Sequence, residues 1–167
     1  MKRLLLTLSL VLTLNLANAQ SAPDYSKYPL EKEEDFAKAK EAALQTANYL
    51  LGNPVSKDPQ QRLEAMQYLL MWMQGTPDYT FAIDGTFSLV GEDQQIMGLY
   101  LASMIKYHIV NEVKESNEDA SVATLKTLAE YINNLKNNVN PTADLKKVVE
   151  AHKKGTLRQL VKDLNKK

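Results

Sequence analysis

The run from Ile96 to Val110 (IMGLYLASMIKYHIV) is almost unbroken in its apolar character, and it limits what this chain can fold into. Ile96, Leu99, Tyr100, Ser103, Tyr107 and Val110 recur at helical spacing along one side. Met97, Leu101, Met104 and His108 recur along a neighbouring side. A helix that is apolar on most of its circumference is buried on most of its circumference. It therefore needs neighbours on several sides, and the remaining sequence supplies them as amphipathic helices. The expected fold is all-α: a compact bundle of five to seven helices around a central helix at about residues 92–113.

The N-terminus carries a different pattern. Met1-Lys2-Arg3 is basic, Leu4 to Leu16 is apolar, and Ala17-Asn18-Ala19 is a small-x-small motif. These are the three parts of a secretory signal, expected to be cleaved after residue 19. The apolar run falls short of the ~20 residues needed to span a bilayer, so no integral membrane segment is expected after cleavage. The chain has no cysteine, which excludes a lipoprotein anchor and leaves the core without disulfides. The expectation is a bacterial protein exported to the periplasm or the medium. Residues 20–30 read as an extended leader, and 31–165 as a single helical domain.

Acidic and basic side chains balance at 20 each, but not evenly along the chain. From Gln20 to Leu125 there are 8 basic and 16 acidic residues, and from Lys126 onward 10 and 4. Docking of the basic C-terminal helices onto the acidic body accounts for this without a polyanionic partner, and no nucleic acid is expected.

Phe36, Ala39, Ala43, Ala47 and Leu50 form the seam of a first helix that starts after Pro29 and stops at Gly52-Asn53-Pro54. Asp58-Pro59-Gln60-Gln61 opens the second, with Asp as N-cap and Pro at the first helical position. Its expected seam is Leu63, Met66, Leu70 and Met73, with Leu69 and Trp72 alongside. After the central helix, Val122, Leu125, Leu128 or Ala129, Ile132, Leu135 and Val139 keep a 3/4 spacing up to an Asn-rich junction. Two shorter helices follow, one through Leu145, Val148, Val149 and His152, the other through Leu157, Leu160, Val161 and Leu164.

Residues 76–91 interrupt this pattern. Asp78 to Val90 is β-branched and aromatic, with Phe81 alternating with Ile83 and Phe87 with Leu89. It reads either as a short hairpin around Asp84-Gly85 or as an ordered crossing loop pinned by its aromatics. Long ordered loops in compact domains tend to carry function. The expected binding residues are therefore Trp72, Tyr79, Phe81, Asp84 and Phe87, and the expected role is a binding module for a protein, peptide or glycan partner. No cofactor and no metal site is expected.

Two other chemistries have residues available. His108 and Glu112, four apart on a helix, can form an imidazole–carboxylate pair for a small hydrolase or lyase, with Tyr79 or Asp84 assisting. Met97, Met104 and His108 offer thioether and imidazole to copper(I), with Met71 and Met73 elsewhere. Methionine stripes at helical spacing also serve as adaptable core filling. Asp78, Asp84, Glu92 and Asp93 flank the crossing segment, and capping of the central helix explains the last two. His152, among Lys153 and Lys154, belongs to a solvated basic face.

Overall fold

The computed structural model describes residues 21–166, so the expected signal at 1–19 lies outside the described residues. Seven α-helices are found among them: α1 (Glu33–Lys38), α2 (Lys40–Gly52), α3 (Pro59–Gly75), α4 (Gln94–Val110), α5 (Glu118–Asn133), α6 (Ala143–Lys153) and α7 (Leu157–Leu164). They pack as a compact all-α bundle. α4 is its axis, in contact with α2, α3 and α5. On one flank Leu99, Tyr100, Leu101 and Met104 join a core with α5, α6 and α7. On the other, Ala102, Ile105 and Ile109 join a core with α2 and α3. A helix apolar on all sides is placed where all sides have neighbours.

Capping sets the helix limits. The Asp58 carboxylate accepts from the Gln61 amide at 3.1 Å, with Pro59 opening α3. Asp93 accepts from the amides of Gln95 (2.8 Å) and Ile96 (3.2 Å) at the start of α4. Asn117 accepts from the Ala120 amide at 2.9 Å at the start of α5. These satisfy donors that the first helical turn leaves without partners.

Four details differ from the sequence expectation. The first helix is broken at Ala39 into α1 and α2. The leader is not extended throughout: Tyr25–Lys27 forms a 3₁₀ turn, and the Tyr25 ring stacks on Tyr68 at 4.4 Å between centroids. The inward face of α3 is turned by about one residue, to Arg62, Ala65, Met66, Leu69 and Trp72, which leaves Leu70 38% exposed. Finally, α5 ends at Asn133. Asn137 donates its side-chain amide to the Tyr131 carbonyl at 2.9 Å and Asn138 adopts a left-handed φ of 55°, so Leu135 leaves the apolar seam and stands 94% exposed.

Arg62 is buried at 1% exposure and has no carboxylate partner among the described residues. Its guanidinium donates to the carbonyls of Leu50 (3.1 Å) and Asn53 (3.2 Å) and to the Gln95 side chain (2.7 Å). Those carbonyls close the C-terminus of α2, where the helix dipole favours a cation. At the opposite end of the bundle, Arg158 on α7 pairs with Glu118 (2.7 Å) and Asp119 (2.6 Å) at the acidic start of α5. Lys162, also on α7, reaches Glu118 at 3.9 Å, and with Arg158 it is the part of the C-terminal positive charge that docks on the acidic body. Lys147, Lys153, Lys154 and Lys166 pair within or next to their own helices instead.

Candidate functional site

Residues 76–91 cross the bundle as an ordered loop rather than a hairpin. Thr80 forms a single parallel bridge with Glu115: its amide donates to the Lys114 carbonyl at 2.7 Å, and the Ser116 amide donates to its carbonyl at 3.0 Å. At Asp84-Gly85, where a two-residue hairpin turn was one option, Asp84 instead caps a 3₁₀ turn over Gly85–Leu89 by accepting from the Thr86 amide at 2.9 Å.

The segment is tied down at two points. The first is His108, fully buried on α4. Its Nδ1–H donates to the Val113 carbonyl at 2.7 Å, so its Nε2 accepts from the Ser116 hydroxyl at 3.2 Å. The Ser116 oxygen in turn accepts from the Ala82 amide at 3.0 Å. Burial pushes the His108 pKa below its ordinary value and outweighs the upward pull of the Val113 hydrogen bond, so the ring is neutral near pH 7. The second tie is Asp84. It accepts from the Ser121 hydroxyl (2.6 Å) and the Asn165 amide (3.0 Å) through one oxygen, and from Thr86 through the other. Burial raises the Asp84 pKa, but hydrogen bonds from Ser121, Thr86 and Asn165 outweigh it and hold the carboxyl below its usual range. Thr86 also shares a hydrogen bond with the Tyr100 hydroxyl at 2.7 Å.

Between these ties the segment forms one wall of an apolar groove of about 290 Å³. Leu70, Met73 and Gln74, on one face near the end of α3, form the second wall. Met97 and Leu101 of α4 form the floor, and Phe81, Ile83 and Phe87 complete the crossing side. At the rim Ile83 is 54% exposed and Leu70 38%.

The expected site residues separate into three groups. Phe81 and Phe87 line the groove, Phe87 packing edge-on to Tyr100 at 5.5 Å. Trp72 and Tyr79 lie behind it in the core. The Trp72 indole donates to the Phe36 carbonyl at 2.8 Å, and its ring packs against Phe81 at 6.0 Å and Tyr79 at 5.9 Å. Lys114 sits over the Tyr79 ring at 4.5 Å. Asp84 anchors the segment from outside the groove. His108 and Glu112 are not brought together: α4 ends at Val110, and Glu112 lies past it with φ 54°, exposed. Met104 and His108 are buried in two different packing environments, whereas Met97 faces the groove. No group of three or more His, Asp or Glu suited to a metal ion occurs among the described residues.

The spacing did not single out Leu70, Met73, Gln74, Ile83, Met97 and Leu101 as groove residues. A signal was present in the stretch Tyr68 to Met73, which is apolar on nearly all sides and so needs apolar neighbours beyond one seam. No protein-family model, curated protein or solved structure matches the chain. No helix among the described residues is long and apolar enough to cross a membrane.

Proposed function

We propose that this chain is an exported binding module that takes an apolar segment of a peptide or protein partner into the groove between α3, α4 and the crossing segment. The observation that carries this reading is an ordered apolar groove walled by two phenylalanines and two methionines, with Leu70 and Ile83 exposed at its edge. Preformed, mostly apolar concavities are the usual form of small binding sites. Methionine thioethers adapt to side chains of different shape, which suits a site for variable apolar segments. Gln74 is the one polar lining residue. A glycan needs a set of placed hydrogen-bonding groups, so the lining favours an apolar peptide over a sugar.

The hydrolase or lyase alternative finds less support. Both ring nitrogens of His108 are engaged, one with the Val113 carbonyl and the other with the Ser116 hydroxyl that holds Ala82, and Glu112 is off its helix. A copper(I) site drawing on His108 would have to break the same two bonds. Export rests on the N-terminal signal pattern and is checked by whether protein recovered from the periplasm or medium begins at Gln20.

The groove reading is tested by calorimetric titration with a capped, uncharged hexapeptide of leucine, phenylalanine and serine. The wild-type chain should bind it, and Ile83→Asp and Leu70→Lys, both at exposed rim positions, should weaken binding together. Equal binding by wild type and both variants would remove the groove from the account.

A further inference from the structure

A second concave surface, away from the groove above, has different chemistry. Where α5 ends and the chain turns into α6, Ile132, Leu135, Val139, Pro141 and Val149 surround a depression of about 270 Å³. Leu135 stands 94% exposed at its edge, the most exposed large apolar side chain in the described residues. Lys146 and Lys153, two helical turns apart on α6, border the depression, and Lys136 follows Leu135 directly. Glu150, between the two α6 lysines, is shared by Lys153 and Lys154 at 3.7 and 3.9 Å. Lys136 and Lys146 have no carboxylate partner among the described residues. The patch is therefore apolar at its centre and in excess of positive charge at its rim.

We propose that this surface docks an acidic apolar segment of a partner polypeptide, one leucine-sized side chain filling the depression and carboxylates on either side meeting Lys136, Lys146 and Lys153. The apolar centre drives association and the lysine rim selects the charge of what flanks the inserted side chain. A second copy of this chain fits less well, because a two-fold contact would set the same unpaired lysines against each other. A lipid surface fits less well too, because a flat headgroup layer leaves a concave depression unfilled and engages only Leu135.

The test uses two fluorescein-labelled, capped peptides, one with glutamates flanking a Leu-Leu pair and one with lysines in their place, followed by fluorescence anisotropy. The glutamate probe should bind, more weakly as salt rises, and the lysine probe should not. Leu135→Ser and the double variant Lys136→Glu/Lys146→Glu should each weaken the glutamate probe by roughly tenfold or more. All three positions are exposed, so these variants should fold normally. Ile83→Asp, in the other groove, should leave this binding unchanged. Equal binding of both probes overturns the proposal, as does binding that Ile83→Asp removes and Leu135→Ser does not. Absence of binding by the glutamate probe overturns it too; release of the protein from phosphatidylglycerol vesicles by Leu135→Ser, or loss of a dimer seen by sedimentation, would then assign the surface to a membrane or to a second copy.

Discussion

His108 offers the sharpest check on how the crossing segment is held. Its imidazole is neutral and buried, with a folded pKa displaced below its ordinary value of 6.5 by desolvation. The sign follows from linkage: in the window between the folded and the unfolded pKa, the unfolded chain takes up a proton that the folded protein refuses. The stability contributed by His108 is thus fully present above the unfolded pKa and is lost as pH falls from there toward the folded pKa. The slope approaches about 1.4 kcal/mol per pH unit inside that window. Gln at this position removes the titration while keeping a polar side chain near Val113 and Ser116. It also disturbs the paired contacts, which costs about 1–3 kcal/mol at every pH. The assay is urea unfolding followed by emission of Trp72, the only tryptophan, at intervals from roughly pH 8 to pH 5. Wild type should lose stability below pH 6.5, and His108→Gln should run flatter from a lower starting point. Parallel curves for the two proteins would refute the account of a buried neutral imidazole.

Three further perturbations probe the other supports. Asp84→Asn should destabilise by about 1–3 kcal/mol, since the charged acceptor of the Ser121 and Asn165 bonds is lost. With its folded pKa depressed, the Asp84 contribution is present above its ordinary value of 3.8 and is lost on acidification below it, so the variant should be the less acid-sensitive protein in that range. A Cβ at Gly85 would fall 2.3 Å from the Leu164 carbonyl oxygen, so Gly85→Ala must displace the end of α7 and should speed amide hydrogen exchange there. Ile105→Ala, at a fully buried position on α4, should cost about 2–5 kcal/mol in denaturant titration.

The central helix was legible because a segment apolar on all sides has one placement in a helical bundle, and α4 occupies it. Its own start was legible from the cap at Asp93, and its partners from 3/4 spacing and the cap at Asp58. The failures have local causes. Leu135 continues the spacing of α5, but the Asn137–Tyr131 bond and the left-handed Asn138 end the helix before reaching it, and periodicity carries no record of such side-chain-to-backbone competition. Glu112 shares a helical face with His108 only if the helix continues, and a left-handed glutamate has no sequence signature. In the crossing segment Asp84-Gly85 is as good a cap for a 3₁₀ turn as it is a hairpin turn. What decides between them is the distant Ser121 and Asn165, 37 and 81 positions away. Of the residues expected to bind, Phe81 and Phe87 reach the groove, whereas the size and apolarity that drew attention to Trp72 and Tyr79 are what bury them.

In the proposed binding module, the groove between α3, α4 and the crossing segment receives apolar side chains. Methionine methyl groups report on it directly: Met73 and Met97 line the groove, while Met66 and Met104 are buried in the core. With ¹³C-methyl methionine labelling, titration of the uncharged leucine–phenylalanine–serine hexapeptide should shift the Met73 and Met97 resonances in a saturable way and leave those of Met66 and Met104 in place. Saturable binding with Met73 and Met97 unmoved, or no shift up to the solubility of the peptide, would contradict it.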